Sequence, residues 1–118
     1  MHIAVIGTGY VGLVTGACFA EFGVDVTCVD VDVNKIEKLK QGIIPIYEPG
    51  LDQIVEKNQK AGRLHFTTEI GSAVGLAEVV FLAVGTPPKP DGSPDMSYYR
   101  QAAKDIAGAA TYLTDLEA

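Results

Sequence analysis

The stretch Ile3-Ala-Val-Ile-Gly-Thr-Gly-Tyr-Val-Gly12 decides the fold of this 118-residue chain. The four apolar residues at its start, mostly β-branched, predict a buried strand. Gly7, Gly9 and Gly12 then form the pattern G-x-G-x-x-G, and a segment with apolar residues at helical spacing follows. A glycine pattern alone is weak evidence in a chain with 13 glycines, but its position between a strand and a helix is typical of a dinucleotide-binding turn.

Each glycine of this pattern has a separate expected role. Gly7 permits a tight exit from the strand, and Gly9 leaves room for a diphosphate to approach the backbone. Gly12 lets the helix lie close to the strand, and Gly16 continues the small face by one turn. The free N–H groups at the start of this helix predict a diphosphate site, since the positive end of the helix dipole lies there.

A carboxylate completes the pattern. Residues 24–30, Val-Asp-Val-Thr-Cys-Val-Asp, are typical of a second parallel strand, and Asp30 follows Gly12 by 18 residues. This spacing is close to that of the acidic residue that binds the adenosine ribose. Because a carboxylate accepts hydrogen bonds from ribose hydroxyls and repels a 2′-phosphate, Asp30 predicts NAD rather than NADP. Asp30 could instead cap the next helix, a role that Asp32 fits better.

Composition and charge exclude several classes of protein. The net charge of −6, without any basic run, argues against nucleic-acid binding. Residues 3–20 are uncharged, but their glycines favour a buried strand and helix over a membrane span, and no basic segment precedes them as in a signal peptide. We therefore expect a cytoplasmic protein in which Cys18 and Cys28 face the core as inert thiols, and we predict no metal site.

Strands and helices alternate along the remaining sequence. We predict helices over residues 10–22, 33–41, 51–60 and, weakly, 69–76, and strands over 63–68 and 78–84. Two prolines and a glycine make residues 43–50 irregular, and residues 85–95 form a proline-rich loop at the carboxyl end of the last strand, where ligands bind in such sheets. In the first helix, the residues that recur at helical spacing are Val11, Val14, Thr15, Cys18, Phe19 and Phe22. The inner face of a final helix is predicted at Tyr99, Ala102, Ala103, Ile106, Ala110 and Leu113.

This alternation predicts an α/β fold, a Rossmann-type doubly wound parallel sheet in the order 3-2-1-4. Residues 1–118 form one domain with about four of the six strands that the full version of this fold contains. The fourth strand is apolar throughout, as central strands are, yet in this order it lies at an edge. We therefore expect either marginal stability with concentration-dependent association, or a homo-oligomer in which two copies pair through this edge.

Four motifs occur in order: Gly7-Thr-Gly-Tyr-Val-Gly-Leu13, Val29-Asp-Val-Asp32, Pro45-Ile-Tyr-Glu-Pro-Gly-Leu51, and Val84-Gly-Thr-Pro-Pro88 followed by Asp91-Gly92. Together they resemble the amino-terminal NAD-binding domain of the UDP-glucose/GDP-mannose dehydrogenase family, over essentially the whole chain. Members of this family oxidise the C6 alcohol of a nucleotide sugar to a carboxylate in two NAD-linked steps. Tyr47 favours UDP-glucose as the sugar nucleotide, and GDP-mannose is the alternative.

The resemblance also implies roles for individual residues. Tyr10 and Val11 are expected to contact the dinucleotide through their backbone, and Asp30 to bind the adenosine ribose. Lys35 is expected to reach the same ribose or a phosphate. The loop residues Gly85, Thr86 and Pro87 are expected in the ligand crevice, with Thr86 beside the nicotinamide half.

The chain departs from the family in one large respect. The family's nucleophilic cysteine, catalytic lysine and asparagine, and sugar-binding domain have no counterpart in this sequence, and neither cysteine matches the nucleophile's motif. We therefore assign no catalytic residue, and we expect a fragment that holds NAD but oxidises no sugar. Alternatives are a stand-alone NAD-sensing module and a Rossmann variant that binds a flavin or S-adenosylmethionine. Glu48 could be an acid–base group, although a structural role is favoured.

Overall fold

Four strands and five helices make up the part of the chain that the computed structural model describes, which is the backbone of residues 1–117 and the side chains of residues 1–109. In chain order they are β1 (His2–Ile6), α1 (Tyr10–Glu21), β2 (Asp25–Val29), α2 (Val33–Lys40), α3 (Leu51–Lys60), β3 (Leu64–Thr67), α4 (Ile70–Leu76), β4 (Val79–Leu82) and α5 (Ser97–Glu117). The predicted elements are confirmed with bounds that differ by one or two residues at most ends. Residues 43–50 contain no helix or strand, as expected.

The four strands form one parallel sheet in the order β3-β2-β1-β4, which confirms the predicted fold class. In the centre of the sheet Val5 pairs with Cys28 on one side and with Phe81 on the other. This order reverses direction beside β1, because the chain first moves outward to β2 and β3 and then returns to β4. The carboxyl ends of β1, β2 and β4 therefore surround the switch point at which open α/β sheets bind their ligands.

Both faces of the sheet are covered, and each face has its own core. On one face α1, α2 and α3 contribute buried residues to a cluster that includes Leu13, Ile36 and Val55. On the other face the side chains of Ala4, Ile6 and Val29 pack with Ala73 of α4 and Ala102 of α5. The sheet is thus doubly wound. The strands are apolar on both sides because both sides are buried.

The buried face of α1 is not the one that the large side chains suggest. Its buried residues are mostly small: Gly12, Leu13, Gly16, Ala17 and Ala20. Cys18 is exposed, so the prediction that it faces the core was wrong, and Phe22 lies beyond the helix with 86% of its surface exposed. The helix lies so close to the sheet that a Cβ on Gly16 would stand 2.6 Å from Sγ of Cys28. Close approach therefore selects the small face over the more hydrophobic one.

The inner face of α5 was predicted correctly only in part. Ala102 is buried and Ile106 half-buried, whereas Tyr99 and Ala103 are exposed, because α5 contacts mainly α4 and reaches β4 with few residues. The side chains of Ala110 and Leu113 lie outside the described residues.

The outer side of β4 has no strand beside it among the described residues, as the predicted order requires. Val79 is 38% and Phe81 36% exposed, although the ring of Phe81 packs on Phe19 with the ring centroids 5.3 Å apart. β4 is therefore a partly exposed apolar edge. In the same described part of the chain, no helix combines the length and the apolar character needed to cross a membrane.

Candidate dinucleotide-binding site

A cleft of about 830 Å³ lies at the carboxyl ends of β1, β2 and β4. Nine of the ten residues that the sequence predicts as cofactor-binding line it, contributed by the glycine-rich turn, the end of β2, α2 and the loop after β4. They are Gly7, Gly9, Tyr10, Val11, Asp30, Lys35, Gly85, Thr86 and Pro87. The tenth, Gly12, is buried in the first turn of α1. The fold thus brings residues that are far apart in sequence to a single site.

Gly7 and Gly12 are required by packing inside the protein. Gly7 has a φ of +107°, and a Cβ on it would lie 2.5 Å from the carbonyl oxygen of Ala83. A Cβ on Gly12 would collide with the carbonyl oxygen of Gly7. These two glycines allow the turn to pass between β4 and the start of α1, so their role is to shape the turn.

Gly9 is different, because a Cβ on it would meet no protein atom within 4 Å. Its φ of −72° suits any residue, so neither strain nor packing requires glycine here. Gly9 is also the N-cap of α1, and no side chain caps the helix there. The backbone at Gly9 is therefore open to the cleft at the positive end of a 12-residue helix, an arrangement suited to an anion.

The carboxylate of Asp30 is held firmly at the end of β2. Its Oδ2 accepts hydrogen bonds from the backbone N–H of Thr8 (3.0 Å) and from the Thr8 hydroxyl (2.7 Å), and its Oδ1 accepts from the N–H of Asp32 (3.1 Å). Partial burial by itself raises the pKa of Asp30, but the bonds from Thr8 and Asp32, together with the charge of Lys35, outweigh it. The pKa of Asp30 is therefore below its ordinary value, and the group is ionised at neutral pH.

Asp30 and Asp32 divide the two roles that the sequence left open. Asp32 is the N-cap of α2 and accepts a hydrogen bond from the N–H of Lys35 at 3.1 Å. Capping therefore does not occupy Asp30, which lines the cleft. The side chain of Lys35 returns from α2 toward the same place, with its Nζ 3.8 Å from Oδ2 of Asp30.

The irregular segment 43–50 is attached to the glycine-rich turn through one side-chain contact. The hydroxyl of Tyr10 donates a hydrogen bond of 2.8 Å to Oε2 of Glu48. This bond, and the negative charge of Glu48, raise the pKa of the Tyr10 phenol. Glu48 does not line the cleft, whereas Tyr10 does, which favours a structural role for Glu48.

Sequence reasoning missed part of the cleft wall. Thr8 is buried just behind the cleft wall, within the glycine pattern, and its position between Gly7 and Gly9 was the only indication of this in the sequence. Further missed residues come from the turn after β2, where Val31 lies inside a quoted motif but was given no role, and from the segment entering α4 and the first turns of α5, which lack a recognisable motif. They include Val31, Thr68, Ile70, Tyr98, Gln101, Ala102 and Asp105, and the strand ends add Ile6, Val29, Ala83 and Val84.

A second depression, of about 690 Å³, lies beside α2, α3 and β3 and includes Lys40, Lys60 and His65. It is away from the switch point, and none of the four sequence motifs contributes to it. We therefore assign the functional site to the cleft at the glycine-rich turn.

Comparison with known proteins decides the family. Residues 1–112 match the sequence profile described as the UDP-glucose/GDP-mannose dehydrogenase family, NAD binding domain. The chain belongs to this family. The match covers nearly the whole sequence and includes every motif on which the resemblance rested.

Members of the family share both sequence and fold with this chain. A UDP-glucose 6-dehydrogenase of Rhizobium meliloti (strain 1021) is 56% identical over 108 residues, which are 91% of this chain and 25% of that protein. The solved UDP-glucose dehydrogenase of Pyrobaculum islandicum is 38% identical with a TM-score of 0.90, covering 95% of this chain and 26% of that one. A GDP-mannose dehydrogenase of Pseudomonas aeruginosa, solved as a ternary complex, is 39% identical with a TM-score of 0.89, covering 92% and 25%. This chain therefore spans about a quarter of the length of these relatives.

The cleft has the features that the family's NAD binding domain requires. The backbone at Gly9 faces open space at a helix N-terminus, where a diphosphate fits. An ionised carboxylate lies at the end of the neighbouring strand, where a ribose fits. The residues that are present are thus suited to a dinucleotide.

Proposed function

We propose that the cleft binds NAD with its diphosphate at Gly9 and its adenosine ribose at Asp30. The observation that carries this proposal is the position of the Asp30 carboxylate, which the turn itself holds through two bonds from Thr8. Tyr10 and Val11 are proposed to contact the diphosphate region, and Thr86, between Gly85 and Pro87, the nicotinamide half. Lys35 is proposed to share the ribose with Asp30 or to reach a phosphate.

The same carboxylate is proposed to select NAD over NADP. Asp30 is charged at neutral pH, because its pKa is below the ordinary value, and a 2′-phosphate would bring two further negative charges against it. Lys35 offsets only part of this repulsion, since its ammonium group is 3.8 Å from the carboxylate and partly solvated. We expect a clear preference for NAD.

For the whole protein to which this domain belongs, we propose NAD-dependent oxidation of UDP-glucose at C6. Support comes from the 56% identity to a UDP-glucose 6-dehydrogenase, against 39% to a GDP-mannose dehydrogenase. Bound NAD supplies the hydride acceptor for this reaction. The described residues are proposed to bind and orient that cofactor, while the sugar is bound and activated by the parts that the relatives have in addition.

The experiment is a calorimetric titration of this chain with NAD and with NADP. We expect weak but measurable binding of NAD and weaker binding of NADP. Asp30→Ala should lose about 1.5–3 kcal/mol of NAD binding, the value of hydrogen bonds to a charged group. The matched control is Asp25→Asn at the opposite end of the same strand, which should bind NAD like the wild type. Equal affinity for both dinucleotides, or an unchanged Asp30→Ala variant, contradicts the assignment.

A further inference from the structure

Thr8 is a polar residue with no exposed surface, and both of its donors go to one atom. Its N–H and its hydroxyl lie 3.0 Å and 2.7 Å from Oδ2 of Asp30. Burying a hydroxyl without a hydrogen-bond partner costs free energy, so the bond to Asp30 stabilises the buried Thr8 side chain as well as the carboxylate.

These two bonds fix the rotation of the carboxylate. With both Thr8 donors on Oδ2, the Asp30 side chain cannot turn without losing two hydrogen bonds at once. Oδ1 accepts a single bond, the 3.1 Å contact from the N–H of Asp32. Since each carboxylate oxygen can accept about two hydrogen bonds, Oδ1 is the atom with capacity left for a ligand.

The Thr8 hydroxyl is not needed to attach the glycine-rich turn to β2. The N–H of Gly7 already donates a 2.7 Å hydrogen bond to the carbonyl oxygen of Val29. That bond joins the two segments through backbone alone, immediately before Thr8 and Asp30. The hydroxyl is therefore directed specifically at the carboxylate.

We infer that Thr8 is a positioning residue for the ribose site, because it holds the Asp30 carboxylate with Oδ1 left to accept a ribose hydroxyl and thereby sets the preference for NAD over NADP. This inference rests on the proposed role of Asp30. A side chain that cannot donate here removes the shorter of the two bonds to Oδ2, so the carboxylate is held less firmly, although the N–H groups of Thr8 and Asp32 still bind it. Its affinity for ribose hydroxyls would fall, and its repulsion of a 2′-phosphate would fall as well.

The groups around Asp30 allow a pH test. Lys35 on α2 is the cation, with its Nζ at 3.8 Å, and Asp32 contributes its N–H while its own carboxylate caps α2. The turn contributes the neutral Thr8, and on β3 the carbonyl oxygen of Thr67 accepts the N–H of Asp30 at 3.2 Å. Removing the Thr8 hydroxyl therefore removes a donor that lowers the pKa of Asp30 and leaves the charged neighbours in place.

The decisive variants are Thr8→Val, which keeps the shape and loses the donor, and Thr8→Ser, which keeps the donor. We expect Thr8→Val to bind NAD about two- to tenfold more weakly, the factor that corresponds to one ordinary hydrogen bond. The ratio of NAD to NADP affinity should move toward one in Thr8→Val, and Thr8→Ser should restore both values. If Thr8→Val keeps the wild-type affinity and ratio, the inference is wrong.

A pH profile separates positioning from a general loss of structure. NAD binding should weaken as the pH falls through the pKa of Asp30, and this midpoint should lie higher in Thr8→Val than in the wild type or Thr8→Ser. An unchanged midpoint in a folded Thr8→Val protein contradicts the inference.

A further test uses the wild-type protein, so it does not depend on whether a variant folds. The carboxyl carbon of Asp30, followed by NMR during an acid titration, should report a pKa below the ordinary value of 3.8. A pKa at or above that value overturns the inference.

If Asp30→Ala itself leaves NAD binding unchanged, the proposed function fails. If Asp30→Ala weakens binding and Thr8→Val does not, only the role of Thr8 fails.

Discussion

The carbonyl oxygen of Gly7 occupies the position that a Cβ atom on Gly12 would need. Three residues before Gly12, Gly9 shows the opposite situation, since a Cβ there would meet no protein atom within 4 Å. The same three-glycine pattern thus contains positions required by the fold and a position that packing leaves open to the cleft.

This contrast gives a paired prediction. Gly12→Ala should lower the free energy of unfolding by about 1–3 kcal/mol, the usual cost of overpacking, because the turn must move to admit a methyl group. Gly9→Ala should lower it by no more than about 1 kcal/mol, the usual cost of an alanine at an N-cap, because its methyl group meets no packed atom. Denaturant unfolding of the two variants beside the wild type measures both values.

NAD binding should show a large effect at Gly9 despite the small change in stability. Gly9→Ala should weaken NAD binding by about tenfold or more, since its methyl group would enter the space proposed for the diphosphate. Calorimetry on the folded variant checks this. A Gly9→Ala protein that binds NAD normally would place the diphosphate elsewhere.

The two cysteines should differ in reactivity. Burial raises the pKa of the Cys28 thiol from its ordinary 9.0 to about 12, whereas Cys18 is exposed on α1. We expect one thiol per chain to react with a disulfide reagent at pH 8 under native conditions. Cys18→Ser should abolish that reaction, and denaturation should reveal the second thiol. A rapid reaction in folded Cys18→Ser would mean that Cys28 is accessible.

Cys28 also predicts how stability depends on alkaline pH. Its pKa is higher in the folded protein than in the unfolded chain, so the folded state holds the proton more tightly. The resulting contribution to the free energy of unfolding is fully present below pH 9 and is lost as the pH rises toward 12, at up to about 1.4 kcal/mol per pH unit. Between pH 9 and 12 the unfolding free energy of Cys28→Ala should therefore fall less steeply with pH than that of the wild type. Parallel curves for wild type and variant would contradict the assignment.

The exposed side of β4 should make the chain associate. Val79 and Phe81 are each more than a third exposed, and no described strand pairs with this edge. Sedimentation at several concentrations should show self-association, and Val79→Lys should reduce it, because an edge lysine opposes strand pairing. The surface variant Lys38→Ala on α2 serves as the control. A wild type that remains monomeric at every concentration would exclude pairing through β4.

Local sequence predicted the elements that depend on short-range patterns. The strand order followed from the alternation of strands and helices, and the residues that line the cleft followed from the glycine pattern, from Asp30 and from the loop at Thr86. For the glycine pattern, Asp30 and the loop, backbone geometry or charge requires a particular residue type, so a few neighbouring positions of the sequence are enough to predict them. The helix cap at Asp32 was predictable for the same reason.

Contacts between distant segments were less predictable. Apolar residues at helical spacing predicted Cys18 in the core. The face of α1 that meets the sheet is instead formed by small residues, because α1 lies close to β2, as the 2.6 Å approach of a Gly16 Cβ to Sγ of Cys28 illustrates. Tyr99 was placed inward, although α5 contacts mainly α4. The bond from Thr8 to Asp30 joins residues 22 apart, and no local pattern predicts that the two side chains meet.

The central claim is that NAD binds at the glycine-rich turn and the end of β2. The most direct test is a titration of the ¹⁵N-labelled chain with NAD, followed by amide NMR. We predict that the amides of Gly7, Gly9, Asp30 and Thr86 shift together and saturate, with smaller changes for NADP. Shifts concentrated at Lys40, Lys60 and His65, or no shifts at millimolar NAD, would contradict it.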